Sequence, residues 1–291
     1  MFGYSKQAYY KQLHNYEQAL FEEQMIVGLI LDKRKIWKRG SGRNLLKSLQ
    51  EDFSNHRISI GRDKFFDLLR RNGLLVSCKK RKAITTNSYH RYHKYPNLVR
   101  DVNPVKANQV WVSDITYIWL TGSESFCYLF LVTDMYSRKV LGYKVCHTLK
   151  AQGAVDSLHM ALDNTLTGAQ QGCIHHSDRG IQYCCDAYTR LLQHNGMGIS
   201  MTEKGDPLEN AIAERLNKTL KEEFTDQKEL SFTTLAMAKK GIATFIDFYN
   251  NKRPHRSIDW LTPDEAYNRE GELKRHWKMY IRKRKGESME A

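Results

Sequence analysis

The chain has 291 residues, 41% of them hydrophobic and 27% charged, with 46 lysines and arginines against 32 acidic residues and a net charge of +14. That length can hold two or three compact domains, and that mix excludes wholesale disorder. The positive excess points to a polyanionic partner, nucleic acid before an acidic membrane.

No apolar run approaches the roughly 20 residues of a membrane span. The start, MFGYSKQAYYKQ, has no apolar signal segment. The six cysteines (78, 127, 146, 173, 184 and 185) include no C-x-x-C pair, which argues against a disulfide scaffold or structural zinc module and suits a reducing cytoplasm. The charge is segregated. Residues 1–100 carry a net +13, residues 101–270 a net −3 and residues 271–291 a net +4. A dedicated polyanion-binding front end fits this better than a uniformly basic surface.

Taken in chain order, residues 4–11 predict a short helix. Residues 14–35 predict a long amphipathic one with Leu20, Phe21, Met25, Ile26, Leu29 and Ile30 on one stripe. Arg39, Gly40, Ser41 and Gly42 stop it. Two further helices follow at 43–53 and 61–72, with Leu45, Leu46, Leu49, Phe65, Leu68 and Leu69 facing a core and Gly73 as a C-cap. The last two, joined by a tight turn and with Arg62 and Lys64 opening the second, suggest a helix-turn-helix, although a plain small helical bundle reads similarly. The run CKKRK at 78–82, with Lys79, Lys80, Arg81 and Lys82, suits a basic arm along a phosphate backbone. Residues 1–82 are therefore expected to be a helical DNA-binding region and 83–108 a linker. His90 and His93 in that linker read as solvated or DNA-facing, because no cysteine pair stands at zinc-finger spacing.

From residue 109 the pattern becomes α/β. Strands are predicted at 109–120, 125–134 and 138–146, with MYSR (135–138) turning between the last two. A helix at 151–164, a strand at 172–178, a helix at 181–194, a strand at 197–202 and helices at 207–224 and 232–250 follow. This order predicts a ribonuclease-H-like α/β sandwich with a mixed five-stranded sheet over 109–268, then a basic tail at 269–291.

Three carboxylates stand out. Asp114 interrupts a strand face otherwise formed by Val110, Val112, Thr116 and Ile118, where an anion needs a cation or hydrogen-bond donors. Asp178 ends a short apolar strand, where α/β folds place chemistry, although it could equally be a turn former before Gly180. Glu214 lies on a helical stripe with Asn210, Asn217, Lys218 and Lys221. An exposed i,i+4 pair with Lys218 is the plainer account of it. Asp178 and Glu214 are separated by 35 residues. Three hard oxygen donors converging at strand ends would bind Mg²⁺ or Mn²⁺. Two such ions per site would suit phosphodiester chemistry.

WVSDITYI, HHSDRGIQY, ENAIAERLNKTLKEE and FYNNKRPHRSIDWLTPDEAY occur here in that order. Together they resemble the retroviral-integrase-type core of bacterial insertion-sequence transposases, in particular the second-frame (OrfB) product of the insertion sequence 3 family. The resemblance spans about residues 14–268. It places Asp114, Asp178 and Glu214 on the family's aspartate–aspartate–glutamate metal triad. It also places Lys221 on a basic position facing the DNA end, with Lys218 as a second candidate that reads equally as a solvated lysine. Arg253 and His255, in YNNKRPH, are implied as phosphate contacts, with packing and turn roles left open. GDPLENA departs from the run the family often carries before this helix, which leaves roles for Asp206 and Glu209 in doubt.

The resemblance implies a DNA transposase of the copy-out–paste-in type, working without a covalent protein–DNA intermediate. Metal-assisted hydrolysis would free a 3′ end, which would then attack a second phosphodiester. Its expected partners are element terminal inverted repeats and target DNA, a second copy in a synaptic dimer or larger oligomer, and an upstream-frame (OrfA) subunit. The start FGYSKQAYYKQ resembles the second half of a helix-turn-helix, which implies a frameshift fusion as the active form. A bacterial cytoplasmic, nucleoid-associated location is expected. Two alternatives remain: a DNA-binding regulatory subunit active only as a fusion, and a ribonuclease-H-like nuclease.

Overall fold

The computed structural model describes residues 6–76, 91–100, 102–203, 211–225, 232–274 and 276. Lys79, Lys80, Arg81 and Lys82 of the basic run, His90, Asp206, Glu209 and the end of the tail lie outside the described residues.

The front end opens with helix α1, Lys6–Ile36, unbroken where two helices were predicted. No glycine or proline separates the two predicted segments, so nothing local ends the first. Ile26 and Ile30 of α1 are buried against Leu45, Leu49, Phe53, Phe65, Leu68 and Leu69. Leu20 and Phe21, on the predicted stripe, are exposed, because the first half of α1 lies off this small core. The helix predicted over 43–53 divides at Leu49 into α2 (Gly42–Ser48) and α3 (Gln50–Asn55). Helix α4 spans Arg62–Arg71. Gly73, at φ +64°, supplies the left-handed turn that lets Leu74 N–H reach the Leu69 carbonyl at 2.8 Å.

The body is one five-stranded sheet in the order β3-β2-β1-β4-β5. Its strands are β1 (Val110–Leu120), β2 (Ser125–Asp134), β3 (Val140–Cys146), β4 (Ile174–Ser177) and β5 (Gly198–Met201). β1, β2 and β3 pair antiparallel, while β4 runs parallel to β1 and β5 parallel to β4. This is the ribonuclease-H-like arrangement.

Helices cover both faces. On one, Ile118, Leu129 and Leu131 pack against Leu216 and Leu220 of α8 (Ala211–Leu220) and Ile242, Phe245 and Tyr249 of α9 (Leu235–Asn251). On the other, Trp111, Phe130 and Leu141 meet Ala154, Leu158 and Ala161 of α5 (Gln152–Asp163). Tyr188 and Leu192 complete that layer from α7 (Asp186–His194), which the short α6 (Ile181–Cys184) precedes. Helix α5 lies so close to β3 that a Cβ on Gly142 would stand 2.1 Å from the Ser157 carbonyl oxygen. Helix α10 (Pro263–Tyr267) closes the fold with a capping box between Thr262 and Glu265. Among the described residues no helix is long and apolar enough to cross a membrane.

Part of the predicted linker is built into this body. Tyr92 and Tyr95 pack on the core, Met201 N–H donates to the Pro96 carbonyl, and Leu98 N–H donates to Ser200 Oγ at 2.8 Å. The segment thus covers β5, which would otherwise be an open sheet edge.

Candidate active site

Each carboxylate is positioned by a different element. Asp114 lies mid-way along β1 beneath α8 and is only partly exposed. Its Oδ1 accepts from Ile115 N–H at 2.9 Å, and its Oδ2 accepts from Asn217 Nδ2 at 2.6 Å. The parallel register pairs Val112 with His176. Asp178, two residues past His176, therefore comes level with Asp114, two residues past Val112. Asp178 Oδ1 accepts from Gly180 N–H at 2.9 Å, and a Cβ on Gly180 would meet that same oxygen at 2.9 Å. Glu214 is exposed in the first turn of α8, one turn before Asn217.

Asp114 lies within electrostatic reach of the other two carboxylates. Burial raises the Asp114 carboxyl, the charge of Asp178 raises it further, and the charge of Glu214 adds a smaller push, to about 7. The donors on Ile115 and Asn217 pull the other way without prevailing. Among the described residues no group of three or more histidines, cysteines, aspartates or glutamates stands as a ready-made metal cage. The donor chemistry nevertheless fits a hard dication. A carboxyl whose ionisation is suppressed by burial and neighbouring acidic charge is relieved by a dication, and carboxylate oxygens are the donors Mg²⁺ and Mn²⁺ prefer.

Behind Asp114 the sheet is stiffened by a buried polar knot. His175 Nε2 meets Ser113 Oγ at 2.7 Å and Tyr188 Oη at 2.9 Å. Burial first, and His176 second, push His175 down to about 3, so the ring is neutral. It is a core histidine tying β1 to β4 and α7.

The predicted basic contacts separate into groups. Lys218 is exposed on α8 and pairs with Glu222 at 3.6 Å, and Lys221 is half-buried one turn on. Arg62 and Lys64 are exposed at the start of α4, with Arg62 Nε donating to Asp63 at 2.8 Å. Arg253 and His255, for which phosphate contact and packing were both open, are buried. Arg253 donates Nε and Nη2 to the two oxygens of Glu223 at 2.9 and 2.6 Å, and its Nη1 faces the His255 ring. Burial, then the charge of Arg253, hold His255 well below its ordinary value, so it is neutral.

Sequence reasoning placed Asn217 on the stripe of Glu214 but assigned it nothing. Its hydrogen bond to Asp114 becomes visible only once α8 lies on β1.

Two family models described as integrase core domain match residues 104–207 and 195–263. Over 221 residues the chain is 33% identical to an insertion element IS600 uncharacterized 31 kDa protein of Shigella sonnei, covering 75% of this chain and 78% of that protein. It is 31% identical over 203 residues to the transposase InsF for insertion sequence IS3A of Escherichia coli K12, covering 69% and 68% respectively. The HTLV-2 integrase catalytic core domain, solved in complex with magnesium, aligns with 57% of this chain and 99% of its own at 14% identity and a TM-score of 0.40.

Proposed function

Because the chain belongs to the insertion-sequence transposases of the insertion sequence 3 type, DDE-type polynucleotidyl transferases with an integrase core that act in DNA transposition and integration, we propose that Asp114, Asp178 and Glu214 are its catalytic and metal-holding triad. The observation that carries this assignment is the carboxyl of Asp114, held by Asn217 and pressed upward by the charges of Asp178 and Glu214.

These residues would hold Mg²⁺ or Mn²⁺, two ions per site, and when bound the ions would activate the attacking oxygen and stabilise the departing one at the phosphodiester. The protein's own part is positional. Asn217 and Ile115 N–H orient the Asp114 carboxylate, Gly180 N–H orients that of Asp178, and α8 presents Glu214 beside them. Lys218 and Lys221, further along the same helix, would meet the phosphates of the element end. Arg62 and Lys64 would engage the terminal inverted repeat from the front end, which carries most of the positive charge. One site must act on an element end and on target DNA, so the working form would be a dimer or larger synaptic assembly, with an upstream-frame subunit as its companion.

The test is strand transfer of a labelled element-end duplex in Mg²⁺ or Mn²⁺. Asp114→Asn and Glu214→Gln proteins should lose transfer by several orders of magnitude while still binding the duplex. Undiminished transfer by either would overturn the triad.

A further inference from the structure

Trp37, the residue after α1, belongs to the front end but is completely buried against the catalytic body. Its indole Nε1 donates to Glu223 Oε2 at 2.5 Å, its ring lies 5.3 Å from that of Phe248, and the Arg253 guanidinium sits 5.5 Å from its face. Glu223 stands in a π-helical turn, Lys221–Thr225, that directly continues α8. The other anchor of Glu223 is the two-pronged pair with Arg253, itself almost wholly buried. On the front-end side the indole is seated on Gly40, where a Cβ would come within 2.5 Å of Trp37 Cε2. Arg34, one turn before Trp37, lies within electrostatic reach of Glu223 and donates to the Leu74 carbonyl behind α4.

A π turn is a rare departure from the α-helix and persists where surrounding contacts hold it. A buried ion pair adds little net stability, and its best-attested use is to set register. Both features meet at Glu223, nine residues along the same helix from Glu214.

We propose that Trp37 is a positioning residue: seated on Glu223 and Arg253, it makes the docked front end fix the π turn and thereby how α8 presents Glu214 to Asp114 and Asp178. The catalytic consequence rests on the triad assigned above, whereas the mechanical coupling does not. Helix α8 is anchored to the body at Asn217, and the joint with the front end anchors its far end.

The experiment uses the full chain and two variants, Trp37→Phe, which keeps a ring but deletes the N–H, and Gly40→Ala, which displaces the indole from the front-end side. Hydrogen exchange is followed over residues 214–225, alongside thermal melting, duplex affinity and strand-transfer kinetics. In folded variants, exchange over 214–225 should rise about tenfold, the scale of one lost hydrogen bond to a carboxylate. Exchange in β1 and β4 should not change. Strand-transfer kcat should fall comparably, with KM for the duplex within about twofold. Unchanged exchange over 214–225, raised exchange throughout the chain, or a KM effect without a kcat effect would each overturn the coupling. If exchange responds as expected but the unaltered chain transfers no DNA, the functional reading fails and the coupling stands.

Discussion

Asn217 donates its side-chain N–H to Asp114 Oδ2 at 2.6 Å, joining α8 to β1 one turn after Glu214. The bond links two proposed catalytic elements through a residue that is not itself a carboxylate. A hydrogen bond to a charged acceptor contributes about 1.5–3 kcal/mol when its loss leaves the acceptor buried. Asn217→Ala should therefore lower strand transfer by roughly tenfold to a hundredfold with duplex affinity retained. Asn217→Asp should be worse at neutral pH, because it adds a fourth carboxylate to the cluster and removes the donor to Asp114. Full activity in Asn217→Asp would show that the contact is incidental.

The crowding of carboxylates is a cost to the metal-free fold. Asp114 titrates at about 7 in the folded chain against an ordinary value near 3.8. The native state therefore binds more protons than the unfolded state across that interval, and stability falls as pH rises through it. In chelator at pH 8, Asp114→Asn should be more stable than the unaltered chain by about 1–3 kcal/mol in urea unfolding, and the gap should close below about pH 4. Added Mg²⁺ or Mn²⁺ should narrow it at pH 8 by favouring only the chain with the carboxylate. A less stable Asp114→Asn protein under chelation would contradict this account.

The buried histidines act with the opposite sign. His175 is held near 3, so below about 6.5 the unfolded state takes up a proton that the native state refuses. Stability should decline as pH drops from 6.5 toward 3, by up to about 1.4 kcal/mol per pH unit for this residue. His255, also buried and neutral, adds to the same trend. The slope of unfolding free energy between pH 6.5 and 5 should become shallower in His175→Gln. An unaltered slope would place the acid sensitivity elsewhere.

Arg62 and Lys64 give a prediction for the front end. If they contact phosphate, Arg62→Ala and Lys64→Ala should each weaken duplex binding about equally across sequences and lower the salt slope of log affinity by about one. Fluorescence anisotropy over a salt series reads both quantities. A slope unchanged in both variants would move the DNA contact away from the start of α4.

Much of the body was legible in the residues. Alternation with β-branched and aromatic content marked β1, and apolar residues at helical spacing marked α5, because these signals are local and burial acts on them residue by residue. Boundaries were less legible. The single helix expected over 207–224 is α8 followed by a π turn, and the one expected over 181–194 breaks at Cys185, whose backbone is extended. Those changes answer to contacts across the fold rather than to propensity. The segment at 92–100 reads as a linker because it is polar, yet it is recruited by the open edge of β5.

By itself, then, the sequence determined the order of strands and helices, the segregation of charge and the three carboxylates worth testing, since each depends on residue type and spacing along the chain. Only the tertiary structure decided what Arg253 does. In sequence it is a cation in a basic motif, free to meet phosphate. In the fold, Glu223 from 30 residues earlier takes both prongs of its guanidinium, and Trp37 closes over the pair. Whether a charge faces solvent or a buried partner depends on what the chain brings to it from a distance, and a buried arginine is kept by a carboxylate it can grip with both prongs.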